Sequence, residues 1–201
     1  MQTKAPLPVT HLQGRKTSPL IEAYFEFSHL KQLYRQGWLR HGIPPERCES
    51  VAEHSFCVAL LALFLADACL AGLDLSKVVR MALLHDFGEI YAGDLTPGDM
   101  VGSQEKHQLE EQSIVQVLEK LPHGTVYVAL WEEYERGESP EAQFVRQVDR
   151  LEMALQASVY EHQGWADLVE FFASAEQATS MPPLRAILAE LQALGKGSKS
   201  P

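Results

Sequence analysis

Between Ser50 and Gly93 the chain carries two helical runs in succession, and polar groups that a core cannot hold unpartnered interrupt both. His54 sits one turn into the first run, and His85-Asp86 follows Met81-Ala82-Leu83-Leu84 in the second. A carboxylate buried without a partner costs several kcal/mol, so each aspartate of this kind needs a cation or a tight ion pair. Ser50-Val51-Ala52-Glu53 fits a capping box that opens the first helix. That helix runs through VALLALFLADACLA to Gly72, apolar on nearly every side, and is expected at the centre of the fold. Ser76 is expected to cap the second, KVVRMALLHDFGEIYA, which should run on to Gly93.

The rest of the chain reads the same way. Ser18-Pro19 starts a helix carrying Ile21, Tyr24, Phe25 and Leu33 and ending near Gly37; further helices are expected over 104–121, 125–136, 140–163, 166–176 and 183–194. No strand pattern, internal repeat or linker divides them, so the expectation is one all-α domain of steeply crossing helices over 18–194. Residues 1–17 read as a flexible basic leader and 195–201, GKGSKSP, as a disordered tail. A length of 201 residues suits one domain, and 46% apolar with 22% charged residues excludes a disordered chain. The net charge of −10 argues against polymeric nucleic acid as a partner, because neutralising phosphates needs a basic face. A small anionic substrate needs only a local cluster of cations and is not excluded.

Cys48, Cys57 and Cys69 are too few for a disulfide framework, and no CxxC pair suggests a zinc ribbon; Cys57 and Cys69 are expected in the core. The first twenty residues hold no signal-peptide run, and the most apolar stretch, 57–66, falls short of the ~20 residues that span a bilayer. A cytoplasmic protein with no membrane partner is expected.

A further ionisable group, Asp149, lies in FVRQVDRLEM among Val145, Val148, Leu151 and Met153. Singly, each position has an ordinary explanation: a histidine with one hydrogen bond, a solvated helix end, an aspartate paired with Arg146 or Arg150. Together, His54, His85, Asp86 and Asp149 make a mixed nitrogen and oxygen donor set suited to Mn, Co, Fe, Ni or Zn, with positions left open for water and substrate.

Their order, H…HD…D, resembles the signature of the HD-domain metal-dependent phosphohydrolases. The words ESVAEHS at 49–55, LLHDFGEIYAGDLTP at 83–97 and VDRLEMALQA at 148–157 are similar to its 5′-deoxynucleotidase branch, which includes the HD-domain-containing protein 2 type. The resemblance covers roughly 20–175. It implies an orthogonal all-α fold, one divalent metal ion (Mg included), removal of the 5′-phosphate from deoxynucleoside monophosphates, and a homodimer. The apolar late segment LVEFFASA agrees with self-association. By the same resemblance His54, His85, Asp86 and Asp149 are the metal ligands, and Glu89 and Asp94 are catalytic, one taking the proton of the attacking water and the other orienting it or protonating the leaving oxygen. Trp38, Arg40 and Arg47 precede the first histidine where the family holds its substrate. This segment is about two residues longer than the family's, with Pro44-Pro45 inserted, so which arginine meets the phosphate stays open. Other readings are a di-iron HD-fold oxygenase using His107 and His123, a hydrolase of another nucleotide or small phosphomonoester, and a non-catalytic nucleotide-binding module.

Overall fold

A computed structural model describes residues 1–70 and 72–196. Among them are helices and short 3₁₀ turns and no strand; sheet-like pairing is confined to isolated bridges, Thr3 with Leu33 and Tyr34 with Ser50. The all-α architecture agrees with the helical periodicity. Helix α1 spans Pro19–Phe27, capped by the Ser18 side chain on the Ile21 N–H. Instead of continuing to Gly37, the chain tightens into a 3₁₀ turn at Ser28–Lys31 and re-enters a short α2, Gln36–Arg40.

Helix α3, Val51–Cys69, opens on the expected capping box, with both halves made by Ser50 and Glu53. Helix α4 is Leu75–Leu84, and its cap is Asp74, whose carboxylate takes the Lys77 N–H; Ser76 falls inside the first turn and caps nothing. The helix stops at Leu84 rather than near Gly93. Bonds of i→i−3 type, from Phe87 N–H to Leu84 C=O at 2.9 Å and from Glu89 N–H to Asp86 C=O at 3.1 Å, tighten 85–88 into a turn before α5, Glu89–Ala92. Gly88 lets the segment around Glu110 pack closely against this turn, because a Cβ there would lie 2.7 Å from the Glu110 Cβ.

Helix α6 is Ser103–Leu118 and α7 is Gly124–Arg136. Helix α8, Pro140–His162, is capped by Ser139 and followed by α9, Val169–Ala178, and α10, Pro182–Lys196. Residues 197–201 of the expected tail lie outside the described residues.

The largest core joins α3, α4, α7, α8, α9 and α10 through residues such as Val58, Ala62, Met81, Val145, Val148 and Leu151. Each fully buried Val, Leu or Met among them contributes about 1.5–3 kcal/mol. Helix α3 is long enough, with a mean hydropathy of 1.6, to cross a membrane by length and composition, yet it packs along α4 and α8 as a core helix. Contrary to the expectation of burial all round, one side of it faces outward: Phe56, Leu60 and Phe64 are exposed at four-residue spacing with Cys57 beside them, and Cys69 is exposed at the helix end. Cys48 is the buried cysteine. In LVEFFASA, Leu168 and Ala175 are buried and Phe171 and Phe172 pack against core clusters, so the exposed apolar row belongs to α3.

The leader is docked rather than free of the domain. Lys4 N–H donates to Gln32 C=O at 2.7 Å, Gln2 N–H to Gln36 Oε1 at 2.9 Å, and 8–12 forms a 3₁₀ turn. Its backbone satisfies groups that the break between α1 and α2 leaves unpaired.

Candidate metal centre

The start of α3, the end of α4 and the middle of α8 meet at one point. His54 comes from the second turn of α3, His85 is the residue that ends α4, Asp86 follows it, and Asp149 faces them from α8. His54 Nε2 lies 3.2 Å from Asp149 Oδ1, 3.7 Å from Asp86 Oδ2 and 3.4 Å from His85 Nε2; His85 Nε2 is 3.3 Å from Asp86 Oδ2. All four sequence-predicted ligands therefore converge.

The outer nitrogens decide what this cluster can hold. His54 Nδ1 is 2.7 Å from Glu152 Oε2, and His85 Nδ1 is 2.8 Å from Ala82 C=O. Both partners accept hydrogen bonds, so each Nδ1 carries the hydrogen and each Nε2 turns a lone pair inward. Two such lone pairs facing each other beside two carboxylates repel unless positive charge lies among them. The titration of the site shows the same demand for positive charge, which a proton on the inward nitrogens also meets. Burial and Arg35 push the His54 pKa down, but hydrogen bonds to Asp149 and Glu152 outweigh both and raise it to about 10. Burial pushes the Asp86 pKa up, and His85 and Arg35 overcome this to hold it well below the carboxylate range. The donor set fits a divalent cation.

Arg35, outside the candidates named from sequence, stands at the centre of the acidic floor. Its Nη1 is 2.9 Å from Asp94, 3.3 Å from Asp86 and 3.7 Å from Glu89. The second Asp94 oxygen accepts the Gln36 N–H, so both its oxygens are engaged. Glu89 is buried with Oε2 unpartnered. Burial, then Asp86 and Asp94, raise its pKa well above the ordinary value, with Arg35 and Lys106 opposing. Glu152 is the other residue that sequence reasoning missed; its signal was its i+3 spacing from Asp149, which puts both on one helix face. For Arg35 the signal was the carboxylate cluster itself, which needs a nearby buried cation.

These groups floor a cavity of about 810 Å³, the size of an ordinary small-molecule site. Trp38 lines it as a core residue: it is 1% exposed, its ring lies 4.0 Å from that of Phe171 between centroids, and its indole N–H donates to Glu49 at 2.7 Å. Arg40 lines the cavity and pairs with Asp99. Arg47 does not reach it. The N–H groups of Arg47 and Cys48 both bond to Pro44 C=O, and this turn sends Arg47 over the Trp165 ring. Further cavity cations are Lys106, Arg146 and Arg150. His107 lines the cavity but stacks on Trp131, and His123 sits in the left-handed turn before α7; neither joins a donor cluster among the described residues.

Residues 27–191 match the HD domain family. The chain is 36% identical over 190 residues to the bovine 5′-deoxynucleotidase HDDC2, covering 92% of this chain and 90% of that one. It is 37% identical over 185 residues to the human protein of that name, covering 90% and 88%. Among solved structures, the PH0347 protein from Pyrococcus horikoshii OT3 superposes with a TM-score of 0.72 at 32% identity, covering 88% of this chain and 98% of that one. A predicted metal-dependent phosphohydrolase from Magnetospirillum magnetotacticum MS-1 gives 0.69 at 28% identity, with 91% and 97% covered.

Proposed function

The chain belongs to the HD domain family and is a metal-dependent phosphohydrolase, and we propose that it removes the 5′-phosphate of deoxynucleoside monophosphates at one divalent ion held by His54, His85, Asp86 and Asp149. The observation that carries this reading is the convergence of those four side chains with both histidine Nδ1 atoms already committed, so that their lone pairs turn inward. The names of the bovine and human relatives support the substrate class.

A bound divalent cation supplies Lewis acidity, neutralising charge on the phosphoryl oxygens. Arg35 holds Asp86, Glu89 and Asp94 in place and presents its guanidinium, a planar fork suited to phosphate, to the cavity. Lys106 and Arg40 add positive charge along the walls. Glu89 Oε2 is the free carboxylate oxygen of the floor and takes the proton of the attacking water; its raised pKa makes it the stronger base. Asp94, engaged through both oxygens, acts on Arg35 rather than on the proton. Phe171, backed by the buried Trp38 ring, gives an apolar wall for the nucleoside. The protein is further proposed to form a homodimer, supported by the exposed row Phe56, Leu60 and Phe64 on α3.

A phosphate-release screen over nucleoside mono-, di- and triphosphates with Mn²⁺, Co²⁺, Mg²⁺ and Zn²⁺ in turn tests the substrate class. Turnover highest on deoxynucleoside 5′-monophosphates is expected. Turnover confined to triphosphates or to non-nucleotide esters would contradict it.

A further inference from the structure

We propose that Glu152 is a positioning residue of the metal centre, whose buried carboxylate fixes the His54 ring and strengthens Nε2 as a donor to the cation. The inference rests on the metal-centre reading above. Glu152 is 5% exposed, and its Oε2 lies 2.7 Å from Nδ1 of His54, itself fully buried. It stands three residues after Asp149 on α8, so one face of one helix delivers both a candidate ligand and the group that orients another. An anionic acceptor on Nδ1–H pushes electron density toward Nε2, as carboxylates behind metal-bound histidines do. The two histidines differ in this respect: His85 has a neutral acceptor, the Ala82 carbonyl.

The alternative use of the same atoms is a second ion held by Glu49, His54 and Glu152, whose donor atoms lie within 4.8 Å of one another. The geometry disfavours it. The separation of 2.7 Å is that of a hydrogen bond, and a nitrogen that carries a hydrogen to Glu152 has no lone pair for an ion. Glu49 is meanwhile turned to the Trp38 indole N–H at 2.7 Å. Glu152 is thus the carboxylate bonded to Nδ1.

The test titrates the metal-stripped full chain and Glu152→Gln with Co²⁺ alone, by calorimetry and visible absorption, beside circular dichroism and melting of the metal-free proteins. Glutamine keeps the shape and an acceptor oxygen but removes the charge. The expected result is a Co²⁺ dissociation constant about 10–100-fold weaker with helicity retained. A residue that only packs would instead lower the metal-free melting temperature and leave Co²⁺ affinity unchanged, and that result overturns the proposal while the metal centre stands. No Co²⁺ binding by the wild type would overturn both. Should the variant fail to fold, ¹⁵N spectra of the Zn²⁺-loaded wild type decide: hydrogen on His54 Nδ1 supports the proposal, and hydrogen on Nε2 overturns it.

Discussion

Replacing Arg35 by methionine removes the one guanidinium that contacts Asp86, Glu89 and Asp94 while keeping a side chain of similar length. The arginine side chain is only 11% exposed, so solvent screening does little to weaken these pairs. At separations of 2.9–3.7 Å each pair has a gross Coulomb attraction of about 5 kcal/mol at an effective dielectric of 20, offset by several kcal/mol for taking the ions out of water. Deleting one partner forfeits the attraction but leaves the carboxylates buried. The expected loss is therefore about 3–5 kcal/mol in urea unfolding at pH 7. The sign of its pH dependence follows from Glu89. Its pKa is already raised by burial and like charges, and removing the opposing Arg35 raises it further. The folded variant then binds protons that the unfolded chain releases, so its deficit relative to wild type shrinks as pH falls from 8 toward 5. Added Mn²⁺ should recover part of the loss by supplying counter-charge at Asp86. A deficit below about 1 kcal/mol, or one that does not shrink at low pH, would refute the reasoning, since surface pairs behave that way.

Glu89→Gln should cut phosphate release at least about 10²-fold with Co²⁺ content unchanged, measured as turnover beside bound metal; normal turnover would remove Glu89 from proton transfer. Asp94→Asn should reduce turnover by loosening Arg35, and its urea midpoint at pH 7 should fall; a fully active, equally stable variant would show that Arg35 holds its place without it. Phe56→Ser combined with Phe64→Ser should convert a dimer into a monomer in sedimentation velocity at micromolar concentration. A wild type that sediments as one chain would remove the proposed homodimer.

The helices and the candidate ligands that converge were legible because both stand out in local pattern. Ser50 and Glu53 cap α3 as their spacing requires, and the histidines and aspartates stand out against apolar helix faces. What the pattern could not carry was decided by contacts between distant segments. The break at His85 is made by i→i−3 bonding, so Glu89 reaches the site from a separate short helix rather than as a continuation of α4. Arg35 looks like any polar residue in a turn until Asp86, Glu89 and Asp94 are brought around it. Arg47, in an equally polar segment, is turned outward by backbone bonds to Pro44. The outward face of α3 was invisible because apolar composition does not say which neighbours arrive, and Cys57 went with it.

The central claim is that the four converging side chains hold the ion on which hydrolysis depends. Metal-stripped wild type and Asp149→Ala, each titrated with Co²⁺ while phosphate release from a deoxynucleoside 5′-monophosphate is followed, test it most directly. Wild-type activity should rise from baseline in proportion to added Co²⁺ and saturate at one ion per chain, while Asp149→Ala stays at baseline with its helicity intact. Full activity in the stripped wild type, or a normal titration curve in Asp149→Ala, would contradict the account.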